Sequence, residues 1–200
     1  MINWAYPTFI LSFFHKSSMC LDILRSPVAA IAKAKQKRDT NRVIVTLLEI
    51  AAIFAVGASL IAARGGFDAM ALAGSLLSSF SVLIIFAAVV GLVIMIAALN
   101  LGGKGDYYEG FTAITYALTP LAVGLLIIAL LLYVPIIGDL LALLVAFPML
   151  ASALSILYRA VKELYKTDMI TAFVIVSVTI TVVVLSIVFL SASLMQAQMY

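Results

Sequence analysis

The chain has 200 residues, of which 66% are hydrophobic and only 10% charged, whereas soluble domains carry about 25% charge and about 45–50% apolar residues. Its 12 basic and 9 acidic side chains are too few to cover a water-exposed surface, so the bilayer is its solvent, and a soluble enzyme, a disulfide-stapled secreted domain (Cys20 is the lone cysteine) and a nucleic-acid binder are excluded. The net charge is only +3, but 7 of the 12 Lys and Arg residues fall within the first 42 positions, so placement carries more information than the sum.

Residues 1–14 are apolar and aromatic, with Trp4, Tyr6, Phe9, Phe13 and Phe14. As a helix they reach about 20 Å, short of the hydrocarbon core of about 30 Å. No basic residue precedes them, and Ser17 to Cys20 lacks a small-residue cleavage pattern, so they read as an interfacial anchor rather than a signal peptide. Leu21, Leu24, Val28 and Ile31 then recur at helical spacing. This predicts an amphipathic helix on the inner leaflet, where Arg25, Lys33, Lys35, Lys37, Arg38 and Arg42 meet anionic lipid headgroups, each contributing about 1 kcal/mol. A basic flank with no recognition role accounts for the same residues.

Residues 1–42 therefore read as a cytoplasmic or interfacial segment, and 43–200 as an all-α polytopic domain with five transmembrane helices, at 43–63, 69–99, 111–134, 140–158 and 169–195. The connectors hold Gly, Pro or charge, which end apolar helices. With the N-terminus in the cytoplasm, 11 basic residues lie inside and only Arg64 outside. That asymmetry predicts a C-terminus on the outer side, and residence in the cell membrane if the source is prokaryotic.

No catalytic apparatus is legible. His15 is the single histidine and lies outside every span, which removes a serine–histidine dyad, and there is no paired intramembrane aspartate or metal-ligand spacing. No catalytic residue, metal or cofactor is expected. Gly102-Gly103-Lys104-Gly105-Asp106 lacks the spacing of a phosphate loop and reads as a hairpin linker.

Glu49 is the one charge expected inside the core, so it should find a partner or reach water. Tyr116 lies at similar depth on the third span and Arg159 closes the inner end of the fourth, which makes both candidate partners. Pro120 and Pro148 should bend the third and fourth spans near midplane, the depth at which transporters hold substrate. A satisfied carboxyl and structural kinks are the plainer account. Small residues at four-residue spacing, Ala51, Ala55, Ser59 and Ala63, together with Gly74 and Ser78 on the second span, predict close packing of the first two spans as the tight core of the bundle.

The order of Leu24-Arg25-Ser26-Pro27, five spans, the loop Gly102-Gly103-Lys104-Gly105, then Ala113-Ile114-Thr115-Tyr116-Ala117-Leu118-Thr119-Pro120 and Val134-Pro135-Ile136-Ile137-Gly138 resembles the Ypt-interacting-protein (Yip) family over residues 21–195. The resemblance implies a five-span protein with a cytoplasmic N-terminus and no catalytic machinery. Eukaryotic relatives serve vesicle traffic, contact Rab-type GTPases and associate with one another; prokaryotic relatives have no settled role. The eukaryotic Asp-Leu-Tyr-Gly-Pro motif is missing and the N-terminal segment is short, which speaks against GTPase binding and for a prokaryotic-type member. The expectation is a non-enzymatic membrane-organising or trafficking-type adaptor, with anionic lipid and other membrane proteins or a second copy as partners. The rival is a small transporter or channel component using Glu49, Tyr116 and the bent third and fourth helices.

Overall fold

The computed structural model describes residues 23–197, which are helical with no strand among them. The aromatic anchor expected at 1–14, and Leu21, lie outside the described residues. A short helix, α1 (Pro27–Gln36), precedes five long ones: α2 (Thr40–Arg64), α3 (Ala69–Asn100), α4 (Tyr107–Leu131), α5 (Gly138–Leu164) and α6 (Met169–Ala197). Each of the five is long and apolar enough to cross a membrane, so the chain is an integral multi-pass membrane protein.

Aspartates start four of these helices. Asp39 accepts from the Arg42 N–H at 3.1 Å, Asp68 from that of Ala71 at 2.7 Å, Asp106 from that of Tyr108 at 2.9 Å and Asp168 from that of Ile170 at 3.1 Å, which satisfies N–H groups that have no partner within the helix. Hydropathy placed some ends poorly. The fourth spanning helix continues past Tyr158 to Leu164, because Arg159, Lys162 and Glu163 end the apolar run without ending the helix. The third begins at Tyr107 rather than 111 and stops at Leu131, ahead of a turn in which Ile136 takes φ 68°.

The centre of the bundle is α4, which packs against α2, α3 and α5 and buries an unbroken run from Thr112 to Pro120. Glycines bring its neighbours close. A Cβ on Gly57 of α2 would stand 3.1 Å from the Leu126 nitrogen, and one on Gly91 of α3 would stand 3.0 Å from the Phe111 Cα. A Cβ on Gly110 would run into the Gly91 carbonyl. This corrects the expected core. Ala51 and Ala55 are buried, but Ser59 and Ala63 are only half-buried, and Gly74 is exposed with nothing within 4 Å of a Cβ. Ser78 is exposed and turns its hydroxyl onto its own helix at the Ser75 carbonyl. The helices α2 and α3 do pack together, yet the backbone-to-backbone approaches run to α4, since only there do glycines face a neighbouring main chain.

The connections gather at two ends. One, termed the basic end, holds α1, residues 101–106 and residues 165–168; the far end holds residues 65–68 and 132–137. At the basic end α1 lies on α5 and buries Ala30, Ile31 and Ala34, with Ile23 just before it. The stripe differs by a register from the expected one: Leu24 is half-buried and Val28 is 52% exposed, because the face is set by docking onto protein as well as by apolar spacing.

Candidate functional site at the basic end

The sequence places Asp106, three residues ahead of Glu109, immediately before the apolar run of α4. The two form a reciprocal cap: the Asp106 side chain receives backbone N–H groups of the first turn, and the Glu109 carboxylate receives the Asp106 N–H at 2.8 Å. The cap presents two carboxylates to the segment that follows α1. Arg38 meets them with one guanidinium nitrogen, 2.6 Å from Asp106 and 3.1 Å from Glu109, and lies 5.2 Å over the Tyr108 ring. Glu163 at the end of α5 pairs with Lys35 at 3.7 Å. The Tyr108 hydroxyl reaches the Ala34 carbonyl at 3.5 Å.

A second set of contacts ties the loops beneath α1. Tyr165 is fully buried; its hydroxyl donates to the Asp106 carbonyl at 3.0 Å, and its own carbonyl accepts the Lys104 N–H at 3.0 Å. The ring leaves no room for a side chain at position 105, where a Cβ would sit 2.8 Å from it. Hydrogen bonding from the Glu109 side chain, followed by the Arg38 guanidinium, holds the Asp106 carboxyl below its ordinary value. Arg38 is held more firmly protonated, first by its hydrogen bond to Asp106 and then by the Glu109 charge. Burial, and after it the Glu109 and Asp106 charges, raise the Tyr165 phenol, which therefore stays a neutral donor.

The six basic residues assigned to lipid headgroups divide into two groups. Lys35 and Arg38 are engaged in the ion pairs above, whereas Arg25, Lys33, Lys37 and Arg42 line a cavity between α1 and the ends of α2 and α4. Tyr116 lines the same cavity.

The constellation expected of a transporter is not brought together. Glu49 is half-buried and has no hydrogen bond or ion pair among the described residues, to Tyr116, Arg159 or any other. Arg159 is exposed, in a shallow surface depression with Tyr158 and Lys162. Pro120 is buried, but Pro148 is exposed on the outside of α5, so the two prolines do not frame a common interior site. Both sit within continuous helices. Of the interior hydroxyls, Thr46, Thr115 and Thr179 donate to the carbonyl four residues earlier at 2.8, 2.7 and 2.8 Å, which satisfies them within their own helices. Among the described residues no three His, Cys, Asp or Glu side chains cluster as metal ligands would.

Sequence reasoning singled out none of Asp106, Glu109, Glu163, Tyr165 or the close-packed glycines. The acidic pair three apart ahead of an apolar run was the signal for the cap. Glycines inside apolar helices, each costing about 1 kcal/mol relative to alanine, were the signal for close packing. Nothing in a single sequence connects Lys35 with Glu163.

The model of the Yip1 domain matches residues 21–190, a stretch that runs from just before α1 into α6. No curated protein and no solved structure matches the chain.

Proposed function

The chain belongs to the Yip1 domain family, and from that premise we propose that it is a non-enzymatic membrane-organising adaptor. Its working face is the basic end, set at the cytoplasmic surface of the cell membrane against anionic lipid, with the N-terminus inside and the C-terminus outside. The eleven-to-one division of basic residues supports that orientation. The observation that carries the adaptor reading is the bracing of α1: Arg38, two residues past its end, ties that end to Asp106 and Glu109, and Lys35 within it pairs with Glu163. An interfacial helix held in a fixed pose on the head of α4 and the end of α5 presents a defined surface, as recognition of another membrane protein or a second copy requires. The transport alternative retains Glu49 as its support, but lacks a set of polar groups gathered around it.

A photo-crosslinking side chain introduced at exposed Lys104 in native membranes should give a discrete protein adduct. The same side chain at exposed Leu144 on the outside of α5 should give lipid adducts only. An adduct pattern that is the same from both positions, or protein adducts from Leu144 alone, would remove the basic end as the working face.

A further inference from the structure

The cavity between α1 and the heads of α2 and α4 measures about 230 Å³. It is smaller than the roughly 300–1,000 Å³ of drug-sized sites and of the scale of a headgroup with some water. Its walls carry Arg25, Lys33, Lys37 and Arg42 against one carboxylate, Asp39. Arg42 has a partner of its own, so the other three cations less one anion leave a surplus of two positive charges, and the Asp39 side chain is already bonded to the Arg42 N–H at 3.1 Å. Lys33 on α1 and Lys37, the residue that ends it, both line the same opening. The alanines at positions 30 and 34 keep the same wall low.

On the opposite wall, Tyr108 and Tyr116 lie two turns apart on one face of α4. Tyr116 is only 1% exposed, yet its hydroxyl makes no hydrogen bond with any described residue. The hydroxyl oxygen is not sealed from solvent, so it opens on the cavity that Tyr116 lines, and the cavity is where an acceptor would sit. We propose that this cavity binds a phosphate monoester, whose oxygens accept from Lys33, Lys37, Arg25 and the Tyr116 hydroxyl. A monoester carries about −1.5 to −2 charge at neutral pH and matches the surplus better than a carboxylate or a diester. It has two sources of one chemistry: the headgroup of a lipid such as phosphatidic acid, entering from the leaflet, or a soluble ester such as glycerol 3-phosphate. The site does not depend on the adaptor reading.

Native mass spectrometry of the full chain in neutral detergent tests it, with phosphatidic acid as probe and phosphatidylcholine as control. A single phosphatidic acid adduct is expected, weakened about tenfold or more in Lys33→Gln/Lys37→Gln and about three- to tenfold in the isosteric Tyr116→Phe. Lys166→Gln, exposed at the same end and outside the cavity, should leave it unchanged. Displacement by glycerol 3-phosphate supports the soluble source; a lipid adduct that resists it supports the leaflet source. Retention of phosphatidic acid no better than phosphatidylcholine, with no glycerol 3-phosphate adduct, overturns the proposal. So does equal loss in Lys166→Gln, which would mean diffuse surface attraction only, and so does full binding by Tyr116→Phe together with the lysine double variant.

Discussion

At the basic end, side chains cross between elements distant in sequence: Arg38 reaches Asp106 and Glu109, Lys35 reaches Glu163, and Tyr165 holds the loop at Asp106. At the far end, the side-chain ties seen among the described residues include the exposed Arg64–Asp139 pair at 3.2 Å and the Tyr133 hydroxyl on the Leu60 carbonyl at 2.9 Å. Both ends solve the same problem of joining helices at an interface. A short turn needs little more than the far end has, so the added bracing at the basic end holds something beyond the turns themselves, namely α1 and the cavity beneath it.

The largest expected contrast is between two glycines. Gly110→Ala places a methyl against the Gly91 carbonyl and 2.9 Å from the Tyr165 hydroxyl, so it should destabilise by about 1–3 kcal/mol or more. Gly74→Ala, in the far half of α3 with nothing nearby, should be neutral or stabilise by up to about 1 kcal/mol through helix propensity. Thermal unfolding in detergent compares them, and equal losses would erase the difference in packing. A smaller contrast separates Arg38→Ala from Arg64→Ala. Losing a pair of carboxylate contacts and a cation–π contact should cost about 1 kcal/mol, discounted for exposure, while losing the lone far-end pair should stay within about 0.5 kcal/mol.

Acidification sharpens the same comparison. The Asp106 carboxyl lies below its ordinary value of 3.8 when folded, so its contribution is complete above that pH and is lost as the pH falls through the lower folded value. Spin labels at Ala32 on α1 and Met169 at the start of α6 should keep their distance from pH 7 to 5 and separate only below 3.8; opening near pH 6 would mean that another group holds α1. The smallest effect belongs to Ser59→Ala. The Ser59 hydroxyl is buried with no partner among the described residues, and its removal should change thermal stability by no more than about 0.5 kcal/mol, or raise it.

Five spans were legible because twenty or so apolar residues in a row have few alternatives in a protein with so little charge, and four of the helix starts were marked by aspartates. Pairing was harder to read. The ladder from Ala51 to Ala63 has the right spacing for close packing, but spacing along one helix does not say which neighbour it faces; the glycines at 57, 91 and 110 carried that information through absent side chains. The basic residues were recognised as a group, whereas their division into clamp and cavity depends on Asp106, Glu109 and Glu163, which lie about 70 to 130 positions further along the chain. Glu49 looked like a site because charge in an apolar helix is costly, and that argument does not supply the partners a transport site needs.

Whether the bundle organises a membrane or conducts through it is decided most directly by proton and cation flux in vesicles reconstituted with the full chain and with Glu49→Gln. The account predicts no flux above protein-free vesicles for either, with both proteins folded by size exclusion. Flux in the wild type that disappears in folded Glu49→Gln would contradict it.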